Sequence, residues 1–290
     1  MPFGVYLNNN TAPTLPSSAQ ALIPQSQNSS RWLLCFNALP SNGSSNPNIL
    51  FAISPDFGLS WPSPSEALPA DPIGRSDPYG VSFYDSVGGY IWTVCFWQWI
   101  AVYGDHYLHC IQAVDSLVSP LNWSPPISLA DTLTWGSDMG YFPSLSSFIT
   151  PVEVINQRQL YVTYTSPIGV IEQRKVEIAL NTNNEHSAMH CRNDREECII
   201  TYREYTLATD SIMAVLVNSS ALANISDSIV VTPPCPSGAG VSFAIPSVAG
   251  PNTFMVAVGW FCNLTATDAE LRVCTSPLLS LQLHSEFNSY

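Results

Sequence analysis

Residues 54–61 read SPDFGLSW and carry the strongest structural signal in the sequence. Asp56 and Ser54 can form hydrogen bonds with nearby backbone groups, and Gly58 can supply the positive φ of a tight bend. Trp61 can hold such a bend in place by packing its ring against the neighbouring sheet. The stretch therefore predicts a tight turn that joins two β-strands.

The sequence around this turn consists of short runs of β-branched and aromatic residues, separated by clusters of Pro, Gly, Asn and Ser. Helical periodicity is almost absent, and the 24 prolines and 15 glycines would interrupt long helices repeatedly. The sequence predicts an all-β protein whose clearest strands lie at 31–39, 48–54, 90–97, 160–165, 197–205, 212–217 and 253–261.

The predicted strands fall into groups of about four that repeat at intervals of roughly 50 to 65 residues. The groups begin near residues 21, 80, 143, 186 and 241, and the third opens with a strand at 143–150. Two junctions echo each other: 74–77 (GRSD) precedes Gly80, and 136–138 (GSD) precedes Gly140. This pattern predicts a single β-propeller domain over residues 1–290 with five blades of four antiparallel strands, or alternatively six blades. A two-sheet sandwich would explain the strands but not the matching junctions.

The turn at 54–61 resembles the Asp-box of sialidase-like, or BNR-repeat, β-propellers. It matches the pattern Ser-x-Asp-x-Gly-x-Ser/Thr-Trp at every defined position. The resemblance implies a turn between the third and fourth strands of a blade, on the rim and away from the central pocket. Its conserved-pattern residues are then structural, namely Ser54, Asp56, Gly58 and Trp61. A partial match to the same motif, with a longer loop, extends from Ala113 to Trp123 in the second group.

The resemblance also raises the possibility of sialidase activity, which the sequence disfavours. Sialidases of this family grip a carboxylate with three arginines, whose bidentate guanidinium groups suit that anion. This chain has eight arginines in total, lacks the early Arg-Ile-Pro segment of the family, and shows five strand groups where sialidases have six blades. We therefore do not expect a catalytic sialidase.

A different glycoside hydrolase is an open alternative, since such enzymes work with two separated carboxylates. Acidic residues at the predicted junctions or strand ends are candidates for this role: Asp71, Asp77, Asp138 and Glu204. Asp77-Pro78 after Arg75 is similar to the Arg-Asp-Pro element of some five-bladed enzymes, although Ser76 interrupts it and no N-terminal Asn-Asp-Pro-Asn is present. Turn or capping roles are the simpler interpretation of each aspartate.

Aromatic residues beside polar ones cluster in the loops that would open on the central face of a propeller. Sugar rings stack their C–H faces on indoles, and their hydroxyls need a few polar partners, so this mixture is typical of a saccharide pocket. The ligand-binding candidates are Trp97, Trp99, Tyr103, Asp105, Trp135, Asp138, Arg75, Arg203, Tyr205 and Trp260.

The cysteines and the charge indicate where such a protein works. Cysteines at hairpin-like spacing predict three disulfides, Cys95–Cys110, Cys191–Cys198 and Cys262–Cys274, and seven glycosylation sequons point to the same secretory history. Residues 1–10 lack the regions of a signal peptide, so a secreted chain would begin after a removed signal. The net charge of -13 disfavours nucleic acid as a partner, and no run of apolar residues is long enough for membrane insertion.

These observations lead to one preferred hypothesis and two alternatives. We expect a secreted, lectin-like propeller that binds carbohydrate or a glycoconjugate through its central-face loops, without a cofactor or a metal site. A secreted glycoside hydrolase on the same scaffold is the first alternative. A protein-interaction propeller, in which the same aromatics meet a partner chain, is the second. The sequence leaves the sugar and the oligomeric state open.

Overall fold

The structure of the protein is a computed structural model. It describes residues 20–26, 29–39, 46–69, 74–85, 89–100, 105–115, 121–128, 134–135, 139–154, 159–165, 174–179, 183–192, 196–205, 209–219, 229–230, 235–236, 242–250, 253–263 and 269–279. These residues form antiparallel β-sheets and one 3-10 turn. No helix among them is long and apolar enough to cross a membrane. The chain divides into two compact units, Met1–Leu133 and Thr134–Tyr290.

The first unit begins with sheet 1, in which four strands pair in chain order. They are β1 (Gln20–Pro24), β2 (Trp32–Ala38), β3 (Asn48–Ser54) and β4 (Ser65–Glu66). β2 is buried along its whole length after the first residue. A strand covered on both faces reads as a continuous apolar run, which is why its sequence, WLLCFNA, shows no alternation.

Sheet 2 follows in the same unit with the same order. Its strands are β5 (Arg75–Asp85), β6 (Gly89–Ile100), β7 (Asp105–Val114) and β8 (Ile127–Ser128). Cys95 of β6 and Cys110 of β7 are directly opposite each other and form a disulfide, as the sequence predicts. The close approach of antiparallel neighbours allows this bond.

Sheets 1 and 2 bury their facing side chains in one shared core. The core includes Ile23, Leu33, Cys35, Ile49, Phe51, Trp92, Val94, Phe96 and Ile111. Gly80 of β5 is so close to the carbonyl of Thr93 and to Ile23 that a Cβ there would collide with both. Burial also raises the pKa of the Cys35 thiol, which forms no disulfide.

Sheet 3 opens the second unit. Its strands are β9 (Thr134–Trp135), β10 (Gly140–Phe142), β11 (Ser147–Val154), β12 (Gln159–Thr165) and β13 (Arg174–Ala179). β10 to β13 pair in chain order, and β9 pairs with β11. The prediction of one strand at 143–150 is wrong, because Pro143–Leu145 forms a 3-10 turn and Ser146 has a φ of 45°. Proline fixes φ and has no N–H to donate, which favours the turn at this position, and the next strand begins after it.

Sheet 4 pairs its first four strands in chain order, and the fifth also joins the third. The strands are β14 (Asn183–Arg192), β15 (Glu197–Tyr205), β16 (Thr209–Asn218), β17 (Ile229–Val230) and β18 (Cys235–Pro236). Sheet 5 contains β19 (Ser242–Gly250), β20 (Thr253–Asn263) and β21 (Ala269–Leu279). A fourth strand of this group, which the grouping of about four strands predicts, would follow β21 outside the described residues.

Cysteines in the second unit confirm one predicted disulfide and correct another. Cys191 of β14 and Cys198 of β15 are bonded, and a Cβ on Gly140 would collide with Cys191 Sγ. In sheet 5, however, Cys262 is opposite Glu270, and Cys274 is opposite Val258. This register separates the two cysteines along the strands, so the predicted Cys262–Cys274 bond is wrong, since a disulfide needs Cα atoms within about 7 Å.

Sheets 3 and 4 share a second core. Its largest buried members are Phe142, Ile149, Met189, Ile200, Tyr202 and Val215. Each of these sheets therefore buries one face against its neighbour, as do sheets 1 and 2 in the first unit. Antiparallel four-stranded sheets that recur along the chain and pack in this way are what the propeller prediction requires.

Candidate functional site

Each sheet has two edges along its strand ends, and the candidate residues fall at one of them. Since neighbouring strands run in opposite directions, the first strand begins, the second ends and the third begins at the same edge. We call this the upper edge of a sheet and the opposite one its lower edge. In sheet 2, for example, the upper edge holds the start of β5, the end of β6 and the start of β7.

Four ligand-binding candidates of the first unit lie at the upper edge of sheet 2. The register pairs Arg75 with Gln98 and Ser76 with Trp97 across β5 and β6. Trp99 and Asp105 occupy the paired ends of β6 and β7, within one residue of each other in register. The topology therefore brings together residues that are up to 30 positions apart in the sequence.

Asp77 has the most unusual backbone of the candidate residues that the structure describes. Its φ is 51°, in the left-handed region, and the β5–β6 register shifts between Ser76 and Tyr79. The Ser76 hydroxyl donates a hydrogen bond to Asp77 Oδ2 at 2.9 Å, and Asp77 is half-buried. A non-glycine residue in this conformation costs on the order of 1–3 kcal/mol, and such strain clusters at functional sites. Bulges likewise occur next to active sites, where they re-aim a side chain.

Arg75, a predicted ligand-binding residue, is buried at this edge. It is only 5% exposed. Its Nη1 donates to Asn48 Oδ1 at 2.8 Å and to the Pro69 carbonyl at 2.9 Å, and its Cζ lies 6.0 Å from the centroid of the Phe96 ring. Since Asn48 begins β3, these contacts join the upper edges of sheets 1 and 2. Arg75 therefore connects these two upper edges from a buried position.

His109 is a neighbour of this edge that the sequence analysis missed. Its ring stacks on Phe96 with the centroids 6.0 Å apart, and Tyr107 lies 6.4 Å away. Burial and the positive charge of Arg75 both lower the pKa of His109, so the imidazole is neutral near neutral pH. Its Nδ1 is buried without a hydrogen-bond partner among the described residues. The alternation of Tyr107 and His109 along one strand is the signal that could have singled it out.

In the second unit, the remaining described candidates also lie at upper edges. Trp135 is opposite Glu153 in sheet 3, and Trp260 is opposite Ser242 in sheet 5. The three consecutive candidates of sheet 4 end β15, where Glu204 is half-buried: Arg203, Glu204 and Tyr205. Asp71, Tyr103 and Asp138 lie outside the described residues.

The motif at 54–61 forms a closed network of hydrogen bonds at the lower edge of sheet 1, between β3 and β4. The Ser54 hydroxyl donates to Asp56 Oδ1 at 2.7 Å and accepts from the Gly58 N–H at 2.8 Å. Asp56 also accepts bonds from the Ser60 N–H at 2.8 Å and the Ser60 hydroxyl at 2.6 Å. Hydrogen bonds from Ser60 and Ser54 lower the pKa of Asp56, which keeps the carboxylate charged.

Two tryptophans complete this turn. Trp61 Nε1 donates to the Gly58 carbonyl at 3.0 Å, and Gly58 has a φ of 80°. A Cβ on Gly58 would meet the rings of Trp61 and Trp32 at 3.4 and 3.8 Å. The chain thus turns between two indoles, far along the strands from the upper edge.

The proposed second copy of the motif behaves differently. Among the described residues, the Asp115 carboxylate accepts two hydrogen bonds from Arg31, at 2.7 and 3.1 Å, and a third from Gln25. These contacts link the lower edges of sheets 1 and 2. In its described part, the second copy of the motif therefore connects two sheets.

Comparison with known proteins identifies the fold. No family model and no curated protein matches the sequence. The structure is similar to that of a variant levansucrase from B. megaterium, with a TM-score of 0.52, 8% identity, and coverage of 92% of this chain and 87% of that one. It is also similar to an exo-beta-1,3-galactanase variant from Phanerochaete chrysosporium with beta-1,3-galactotriose, with a TM-score of 0.53, 10% identity, and coverage of 89% and 63%. The chain thus spans less than two thirds of that galactanase. The fold is an all-β propeller.

Proposed function

We propose that this protein binds carbohydrate at the upper edges of its sheets. The observation that carries the proposal is the geometry of sheet 2, where Trp97 lies opposite Ser76 and next to the strained Asp77. An indole offers a flat face to the C–H groups of a sugar, and a carboxylate accepts hydrogen bonds from its hydroxyls. Arg75 and the neutral His109 both pack against Phe96 next to the same edge.

Two further observations support a carbohydrate ligand. The galactanase with a similar fold was solved with beta-1,3-galactotriose, and levansucrase shares the fold. The hydrogen bonds of Ser54 and Asp56 support the assignment of that turn as an Asp-box of the sialidase-like propellers. The two disulfides favour a secreted protein, since such bonds persist in oxidising compartments.

The test compares two aromatic positions at opposite edges of sheet 2. Trp97→Ala should weaken glycan binding by at least about tenfold, which is 1.4 kcal/mol, on a glycan array followed by calorimetry. Tyr84→Ala is the matched control, because Tyr84 is an exposed aromatic residue at the lower edge of the same sheet. Equal melting temperatures would exclude misfolding. Unchanged affinity in a folded Trp97 variant would count against the proposal.

Hydrolysis is the second candidate, and the strained backbone of Asp77 is the observation that favours it. In this reading Asp77 and Glu204 are the described carboxylates, and Asp71 and Asp138 are the remaining candidates. Aryl glycosides and sucrose are suitable substrates for the assay. Turnover that disappears in Asp77→Asn while binding persists would establish the enzyme. Binding without turnover would favour the lectin. The absence of both binding and turnover would favour a protein partner.

A further inference from the structure

A cavity of about 570 Å³ lies beside the Asp-box turn, at the lower edge of sheet 1. It is lined by part of β3, by the segment between β3 and β4, by Arg31 and by Leu121 of the segment before β8. Its volume falls within the range of roughly 300–1,000 Å³ that is typical of small-molecule sites. Neither the upper-edge residues nor the disulfides contribute to it.

The lining of this cavity is apolar in the interior and polar at the mouth. Phe51 and Leu121 are buried, whereas Ser63 and Ser65 are exposed. The half-buried Trp61 also faces the cavity. Neither Ser63 nor Ser65 uses its hydroxyl in a hydrogen bond among the described residues, so both are available to a ligand. An apolar interior with an indole and free hydroxyls at the mouth suits a molecule that has both a C–H face and hydroxyl groups.

Arg31 gives the cavity a fixed donor without a net charge. Its Nε and Nη2 bind the two oxygens of Asp115, whose side chain is fully buried, while the Arg31 side chain is 21% exposed. Nη1 has no partner among the described residues and is left to donate. Because Asp115 compensates the guanidinium charge, this group suits a neutral hydroxyl or ring oxygen better than an anion.

The surroundings strengthen this preference for a neutral ligand. Asp56 follows the lining residue Pro55 and is held in its charged form by Ser60 and Ser54. Glu66 follows the lining residue Ser65 and is exposed. The chain as a whole carries a net charge of -13. An anionic ligand would therefore meet repulsion from several sides.

We propose that this lower-edge cavity is a separate carbohydrate subsite that takes one or two neutral sugar rings. The sugar stacks on Trp61 and the apolar interior, receives a hydrogen bond from Arg31 Nη1, and exchanges hydrogen bonds with Ser63 and Ser65. The subsite lies at the opposite strand ends from Trp97, so a glycan bound here leaves the upper edge free.

The experiment fills the cavity without removing any described contact. Saturation-transfer NMR is recorded on the full chain with methyl β-galactoside, lactose and maltose, and with N-acetylneuraminic acid as the anionic comparison. Ser63→Trp places a large ring at the mouth, and Pro126→Trp is the control at an exposed position outside the lining. Neutral sugars should bind the parent protein. Their affinity should fall about tenfold for Ser63→Trp and should be unchanged for the control variant.

The upper-edge variant separates this proposal from the previous one. The saturation-transfer signals of neutral sugars that are lost in Ser63→Trp should persist in Trp97→Ala. This result would support the subsite whether or not the upper edge also binds sugar. Signals that vanish in Trp97→Ala and survive Ser63→Trp would overturn the subsite and leave the upper-edge proposal standing. Preferential binding of N-acetylneuraminic acid, or no binding of any neutral sugar, would also overturn it.

Discussion

Within each unit, a polar contact connects two neighbouring sheets at their lower edges, but the chemistry of this tie differs between the units. In the first unit, Arg31 before β2 of sheet 1 pairs with Asp115 after β7 of sheet 2. In the second unit, the N–H and hydroxyl of Ser144, before β11 of sheet 3, donate to Glu196 at the start of sheet 4's β15. The Ser219 N–H, after β16, donates to the Glu196 carbonyl at 3.0 Å. Both ties lie at lower edges.

The difference between the two ties is one of burial. The Asp115 side chain is fully buried against Arg31, whereas Glu196 is only half-buried. Partial burial raises the pKa of Glu196, but hydrogen bonds from Ser144 and Ser219 outweigh this and lower it overall. The position of a tie is therefore set by the repeated architecture, while its energetic weight is set by the local environment.

Removal of the buried tie should have the largest effect. Arg31→Met removes the ion-pair partner of the buried Asp115 carboxyl group, which should lower the free energy of unfolding by about 3–5 kcal/mol. The double variant with Asp115→Asn should recover part of this loss. Glu196→Gln, the counterpart in the second unit, should cost less than about 1 kcal/mol because that group is partly open to water. Urea unfolding measures all three, and equal losses at the two ties would contradict the comparison.

The two disulfides offer a second, smaller contrast. Cys95–Cys110 joins the second and third strands of its sheet across 15 residues, and Cys191–Cys198 joins the first and second across 7. Chain-entropy estimates at these separations are about 3 and about 2.4 kcal/mol. We expect paired alanine substitutions to destabilise the protein more at Cys95 and Cys110. The reverse order, measured by thermal and urea unfolding, would show that native packing around Gly140 outweighs loop closure.

The smallest predicted effect concerns one histidine in each unit. Burial lowers the pKa of both His109 and His190, and the charge of Arg75 adds to the effect at His109. In the unfolded chain these groups take up protons near pH 6.5, while the folded protein resists protonation. This contribution to stability is therefore present above pH 6.5, and stability should fall as the pH drops below 6.5 toward 5.5.

Single substitutions locate this pH dependence. His109→Gln should flatten the stability profile through the first unit, and His190→Gln through the second. Urea unfolding at several pH values, with the parent protein alongside, measures the slopes. A parent profile that is flat between pH 5.5 and 7 would be inconsistent with the prediction.

Much of the fold could be predicted because the positions of many strands follow from local runs of apolar residues. β3 (Asn48–Ser54) and β15 (Glu197–Tyr205) have the bounds that their apolar runs predict. The error at 143–150 arose where Pro143 interrupts an apolar run, because hydrophobic pattern alone does not separate a strand from two strands with a turn between them. The pairing of Cys262 with Cys274 failed because strand register depends on partners that spacing does not reveal.

The candidate site was less accessible to prediction. The upper edge of sheet 2 followed from the strand order, so Trp97 and Asp105 could be grouped in advance. The left-handed backbone of Asp77 and the stacking of His109 on Phe96 depend on register and packing between strands. The burial of Arg75 was also not predictable, because its partners Asn48 and Pro69 come from the preceding segment of the chain.

The buried thiol of Cys35 gives the first unit a built-in reporter of its own opening. The side chain has no exposed surface, and burial raises its pKa, so a thiol reagent reaches it only after the core between sheets 1 and 2 separates. The labelling rate at Cys35, followed by peptide mass spectrometry, then measures the opening of that core in the native protein. No engineered probe is needed, and the same measurement can rank Arg31 variants without denaturant.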